Sequence, residues 1–109
     1  AALWVMAPEL RRAIVAVLAE RRPAETERAH RRLARAFVDQ LERSQGLPAT
    51  RIAAVRKALD DAERRSGAAR RSALESLAAE LAADQARSSD AKKIAMLVDA
   101  VRELADEAR

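Results

Sequence analysis

The only histidine of the chain has a carboxylate at helical spacing, which makes it the first candidate for chemistry. Glu27 and His30 stand three positions apart, so on a helix they share one face. Helical di-iron proteins use two such Glu-x-x-His motifs together with two further carboxylates. A second motif cannot form here because there is one histidine in the sequence. His30 also lies at the edge of the apolar row that begins at Leu33, and we therefore expect a partly buried packing histidine and no metal site.

The remaining polar side chains do not form a catalytic pattern. The sequence has no cysteine and no tyrosine, and its serines lack the G-x-S-x-G surroundings of a nucleophile elbow. The acidic residues usually have a basic residue three or four positions away, as Asp60 has Arg64 and Asp99 has Arg102. Such pairs are typical of the exposed surface of a helix. We predict that the domain is not an enzyme and that it takes no cofactor.

A stripe of arginines is the second candidate, as a face for an anionic partner. Its members fall on one side of the second predicted helix and are Arg28, Arg31, Arg32 and Arg35. Arginine contacts to phosphates supply sequence-independent affinity for nucleic acids. Acidic residues are interleaved with this stripe, however, and the sequence has a single Trp, a single Phe and no Tyr to stack on bases. A solvated face is therefore favoured, with an acidic partner or an anionic polymer as the alternatives.

An apolar segment near the start of the chain is the third candidate. It consists of Leu3, Trp4, Val5 and Met6. We expect this segment to cover one end of the domain, and the alternative is an exposed contact with a neighbouring domain or with a second copy. It is far shorter than the roughly 20 apolar residues that span a bilayer. Because the chain begins at Ala1, we expect it to be processed or cut from a longer protein.

Composition predicts the elements that must position these candidates. The 109 residues have room for one domain with one core, and their most frequent types, Ala, Leu, Arg and Glu, are strong helix formers. The net charge of +4 arises from 21 basic and 17 acidic residues, which is typical of a solvated helical surface. We predict an all-α fold.

Proline, glycine and polar breaks divide the chain into five helices joined by short loops. Pro23 stops the first helix, Gly46 supplies a left-handed residue at the end of the second, and Gly67 closes the third. Ser88 to Asp90 form the break before the fifth. We predict a compact single domain, a bundle of about five short antiparallel helices, with an apolar segment over residues 1–7 and helices over approximately 8–22, 24–45, 48–66, 68–86 and 89–108.

Apolar side chains recur at helical spacing within each of these segments, and the recurrence predicts which face of each helix is buried. The predicted inward rows are Leu10, Ile14, Val17 and Leu18; Leu33, Phe37, Val38 and Leu41; Ile52, Val55, Leu59 and Ala62; Leu74, Leu77, Ala78 and Leu81; and Ile94, Leu97, Val98, Val101, Leu104 and Ala105.

Two stretches within residues 33–104 resemble a known helical family. These are LARAFVDQLERSQGLPATRIAAVRKALDDA, with its Gly-containing turn between two helices, and ALESLAAELAADQARSSDAKKIAMLVDAVRELA, with its polar break. They are similar to the FIMAH-type helical domain found at the ends of secreted bacterial proteases, glycosidases and surface proteins. The resemblance covers about two-thirds of the chain, and it implies a non-catalytic accessory or spacer module of an extracellular protein.

Together these features favour a bacterial interaction or spacer module with an extracellular or cell-envelope location. Its expected partner is another protein or an upstream domain of the same parent chain, with self-association through Trp4 as a further possibility. The alternative is a cytoplasmic binder of nucleic acid or another anionic ligand that uses the arginine stripe.

Overall fold

The described part of the chain folds into five α-helices. The computed structural model describes residues 7–21 and 23–108, and it describes the side chains of residues 7–14 and 25–108. Across the described ranges there is no strand, which confirms the all-α prediction. The helices are α1 (Pro8–Arg21), α2 (Pro23–Ser44), α3 (Ala49–Glu63), α4 (Gly67–Gln85) and α5 (Ala91–Glu107).

Four of the helices pack in a ring, and the fifth lies beside it. Helix α2 packs against α3 and α5, and α4 packs against the same two helices from the opposite corner. Helix α1 packs against α2. The shortest dimension of the molecule is 18 Å, which fits two layers of helices whose axes are about 8–10 Å apart. The short connections between helices make consecutive helices neighbours.

The interior is built from the predicted inward rows of α2 to α5, and every residue of those rows is buried. Phe37, Leu41, Leu81, Ile94 and Leu97 have no exposed surface. Each such side chain stabilises the fold by about 1.5–3 kcal/mol relative to an exposed one. Ala34 and Ala100 are also fully buried, and their small side chains let neighbouring helices pack closely.

The predicted inward row of α1 is wrong at its first position. Leu10 is 54% exposed, whereas its neighbour Arg11 is only 3% exposed. Ile14 is half-buried, and the side chains of Val17 and Leu18 lie outside the described residues. One residue corresponds to about 100° around a helix, so α1 is rotated to bring Arg11 inward. The reason is electrostatic, because the carboxylate of Glu103 on α5 lies where Arg11 can pair with it.

The end of α2 also differs from the prediction. The left-handed residue is Gln45, with φ of 57°, and not Gly46. The amide of Gly46 donates to the carbonyl of Leu41 at 2.9 Å and that of Gln45 to the carbonyl of Glu42 at 3.3 Å, which is the Schellman pattern. Glycine is required at position 46 for space, since an added Cβ would lie 2.7 Å from Cδ2 of Leu41 and 3.0 Å from Cβ of Asp90.

Helix α3 ends three residues earlier than predicted, at Glu63, and Gly67 with φ of 57° begins α4. The guanidinium of Arg70 binds backbone carbonyls at this end of the helix. Its Nε donates to the carbonyl of Ala62 at 3.2 Å and to that of Arg65 at 2.7 Å, and its Nη2 donates to that of Glu63 at 3.1 Å. A cation is favourable here because the carboxyl end of a helix carries partial negative charge.

Opposite effects are expected from two substitutions in the α2–α3 turn. Gly46→Ala should destabilise the protein by about 1–3 kcal/mol because its Cβ forces apart packed atoms. Gln45→Gly should stabilise it by about 0.5–1 kcal/mol because it removes the cost of a left-handed side-chain-bearing residue. Urea denaturation measures both changes, and a Gly46→Ala protein as stable as the wild type would contradict this account of the turn.

Candidate functional site

Helices α1, α2 and α5 bury a cluster of charged side chains between them, here named the Glu103 cluster: Arg11, Arg12, His30, Asp99, Glu103 and Glu107. Its centre is the carboxylate of Glu103, whose side chain is 17% exposed. Nη1 of Arg11 donates to Oε2 of Glu103 at 2.9 Å, and Nε2 of His30 lies 3.4 Å from the same oxygen. Nδ1 of His30, on the other edge of the ring, contacts Oε1 of Glu107. One carboxylate of α5 thus faces both α1 and α2.

The outer part of the Glu103 cluster lies closer to solvent. Nη2 of Arg12 is 3.1 Å from Oδ2 of Asp99, and its Nε is 3.7 Å from Oε1 of Glu103. The side chain of Arg12 is 53% exposed, whereas those of Arg11 and His30 are 4% exposed. Arg11 therefore provides the strong contact, since a bridge gains most from charge where water is excluded.

The cluster joins α1 and α2 to α5. His30 directs its two nitrogens to two carboxylates on opposite edges of the ring, so these ligands do not converge on one point. Within the described part of the chain, no three His, Cys, Asp or Glu side chains are placed to hold a metal ion. The predicted packing histidine is 3% exposed, more buried than expected, and its neighbours include carboxylates.

The structure separates the two residues of the Glu-x-x-His motif. Glu27 accepts a hydrogen bond from Nη1 of Arg70 on α4 at 3.0 Å, whereas His30 faces α5. Positions three residues apart on α2 thus pair with different helices, Glu27 with α4 and His30 with α5. The motif is thus two independent tertiary contacts.

One arginine of the stripe, Arg35, is bound by carboxylates of another helix, and the other three differ from it in this respect. Nη2 of Arg35 donates to Oδ1 of Asp60 at 2.7 Å and to Oε1 of Glu63 at 2.9 Å, both on α3. Burial alone would lower the pKa of Arg35, but the hydrogen bonds to Asp60 and Glu63 outweigh it and raise that pKa. Arg35 is therefore committed to holding α3 against α2.

The other three arginines of the stripe have no carboxylate within 4 Å among the side chains that the structure describes. Arg28 and Arg32 are exposed. Arg31 is half-buried and lines a cavity of about 20 Å³ together with Glu63 and Arg70, room for about one water molecule. These three guanidinium groups therefore form no ion pair with a described carboxylate.

Further arginines link neighbouring helices of the ring. Arg51 on α3 donates through Nε and Nη2 to Oδ2 of Asp84 on α4, at 3.1 and 2.7 Å. Arg56 on α3 binds Asp39 and Glu42 on α2, each at 2.8 Å. The hydrogen bond between Arg56 and Glu42 lowers the pKa of the carboxyl and raises that of the guanidinium.

In both surface pairs that the sequence suggested, the acidic residue binds an arginine of another helix instead. Asp60 binds Arg35 and not Arg64, which lies 3.3 Å from Asp61 instead. Asp99 binds Arg12 of α1 and not Arg102. The predictions of both intrahelical pairs were wrong because a bridge to another helix was within reach.

Sequence reasoning missed Arg11, Glu103, Glu107 and Arg70 as structural groups. A signal existed for two of them, because Glu103 and Glu107 stand one turn apart, beside the buried residue Leu104. The helix that would meet them was not visible in the sequence. The predicted contact segment Leu3 to Met6 lies outside the described residues.

No helix in the described ranges is long and apolar enough to cross a membrane. Comparison of the chain with protein-family models, with curated proteins and with solved structures finds no match. The resemblance over residues 33–104 therefore stays a hypothesis. The proposals about function below rest mainly on the contacts between helices.

Removal of the central charge should loosen the attachment of α1. We expect Glu103→Gln to lower the free energy of unfolding by about 2–4 kcal/mol, because the buried guanidinium of Arg11 loses its charged partner. Asp61→Asn is the matched control, since its pair with Arg64 is largely exposed and should change stability by less than about 0.5 kcal/mol. Equal effects of the two substitutions in urea denaturation would contradict the anchoring role.

Proposed function

We propose that this chain is a non-catalytic interaction and spacer module, an accessory domain of a larger secreted or envelope protein of a bacterium. The observation that carries the proposal is the set of arginine bridges between helices. They join α1 to α5, α2 to α3, α2 to α4 and α3 to α4. The resemblance to an accessory domain over residues 33–104 supports the same role.

These bridges favour a spacer because of where they lie. The apolar seams hold the helices together, and a charged pair across a seam also opposes sliding of one helix past the next. Arg35, Arg51 and Arg56 each have carboxylate oxygens within 2.9 Å, and charge-assisted bonds of this length are directional. A body tied in this way keeps whatever is attached to it at a constant separation.

A spacer of this kind should show narrow distance distributions between labelled sites. Single cysteines can be introduced without competition because the chain has none. Nitroxide labels can be attached at Ala13→Cys on α1 and Glu80→Cys on α4, which are both exposed positions. The distance distribution between them, measured by double electron–electron resonance, should show one narrow peak. Labels at Ala54→Cys and Glu80→Cys provide the matched pair within the ring.

The same labels test separately whether the Glu103 cluster holds α1 and whether the ring of α2 to α5 is rigid. Adding Glu103→Gln should broaden the distances from α1 and leave those within the ring unchanged, because Glu103 contacts Arg11 and Arg12 of α1. A broad or multiple distribution for both pairs in the otherwise unaltered protein would refute the spacer role.

A second candidate function is the binding of nucleic acid or another anionic ligand by a cytoplasmic protein. The observation that favours it is the charge of Arg28, Arg31 and Arg32, which lack carboxylate partners in the described part of the chain. Arg35, bound by Asp60 and Glu63, is not available to this surface. The face is therefore smaller than the sequence predicted.

This second candidate predicts binding that depends on charge and salt. Arg31→Glu combined with Arg32→Glu should abolish binding of labelled duplex DNA or RNA in a fluorescence anisotropy titration, and the affinity of the wild type should fall steeply with salt. Arg65→Glu combined with Arg102→Glu is the control, with an equal change of charge at exposed positions elsewhere. Absence of binding by the wild type at low salt would exclude this function.

A further inference from the structure

A groove crosses the end of the bundle at which the α2–α3 loop meets the α4–α5 loop. Its volume is about 550 Å³, and residues from both loops and from α3 line it, among them Gln45, Leu47, Pro48, Ile52, Arg87 and Ser89. A second hollow of about 180 Å³ adjoins it and shares Gly46, Leu47, Pro48 and Arg87 as lining residues. The larger volume is in the range of ligand-binding clefts.

The walls of this groove are fixed in place by contacts between the two loops. The hydroxyl of Ser88 donates to the carbonyl of Gly46 at 2.6 Å and accepts from the amide of Asp90 at 2.9 Å. The hydroxyl of Ser44 donates to Oδ2 of Asp90 at 3.2 Å. Gly46 packs too closely against Leu41 and Asp90 to admit a side chain. A preformed groove avoids the cost of ordering its walls when a ligand binds.

The groove combines exposed apolar surface at Pro48, backed by buried apolar residues, with a positive charge that no described carboxylate pairs. Leu47 and Ile52 are 6% and 1% exposed and form part of the lining, and Pro48 is exposed beside them. Arg87 is exposed and has no carboxylate within 4 Å among the described side chains.

The carboxylates nearest to Arg87 along the lining are already bound by other arginines. Glu42 is held by Arg56 at 2.8 Å, and Asp84 is held by Arg51 at 2.7 Å. The guanidinium of Arg87 is therefore the charge that remains for a ligand from outside. Its donors suit a carboxylate, which it can bind through two parallel hydrogen bonds.

From this arrangement we infer that the groove binds an extended segment of a protein partner in which an acidic side chain is flanked by apolar ones. The acidic side chain pairs with Arg87, and an apolar neighbour covers Pro48. This inference rests on the interaction role proposed above and names the chemistry of the partner.

An array of amide-capped hexapeptides tests the inference directly. Each peptide has one Asp among randomised apolar residues, and each has a twin in which Asn replaces Asp. The labelled wild-type protein should bind the best Asp peptides about tenfold more strongly than their Asn twins. In nuclear magnetic resonance titrations with those peptides, the amide shifts should change at Leu47, Ile52 and Arg87.

Charge reversal on the protein supplies the second arm. Arg87→Glu should weaken binding of the Asp peptides by about tenfold or more, whereas Arg102→Glu, an equal change at an exposed position of α5, should leave it unaltered. Circular dichroism verifies that both variants are folded. Equal binding of Asp and Asn twins, undiminished binding by Arg87→Glu, or no binding to any peptide would each overturn the inference. Label distances that stay narrow in the same protein would leave the spacer role standing.

Discussion

Leu41, Leu81 and Leu97 come from three different helices, and all three are fully buried in one apolar cluster. Release of such surface from water is the main favourable term in folding, and it has no preferred direction. It brings α2, α3, α4 and α5 into a ring without specifying how far each helix slides or turns. The scarcity of large aromatic side chains leaves that alignment to small residues at the contacts and to charged groups at the edges.

Charged groups supply the direction that the apolar core lacks. Guanidinium groups reach across helix boundaries to named carboxylates, as Arg35 does to α3 and Arg70 to both α2 and the end of α3. A hydrogen bond has a preferred angle as well as a length, so each bridge fixes the register of two helices. The Glu103 cluster fixes the position of α1 in the same way. Here the buried side chain of α1 is the guanidinium of Arg11, whereas the other helices bury apolar side chains.

Use of arginine for these internal tasks changes how the surface relates to function. A stripe of four arginines on α2 suggests a polyanion face in the sequence, but one member is bound to two carboxylates of α3. Arg87, in contrast, stands outside any periodic pattern and keeps its charge beside a preformed groove. Arginine is enriched at protein–protein interfaces, and the proposed partner site therefore lies at the end of the bundle and not at the middle of α2.

The sequence by itself determined the number of helices, the class of fold and the inward rows of α2 to α5. This was possible because helical periodicity depends on residues within about four positions of one another. Only the tertiary structure decided which polar groups meet, since Arg11 and Glu103 are 92 positions apart and no local pattern relates them. The tertiary structure also placed Leu10 in solvent and Arg11 inside. In the α2–α3 turn, Gln45 has the left-handed conformation, whereas Gly46 packs against Asp90 without room for a side chain. In each of these cases the outcome depended on what another helix presented at that point.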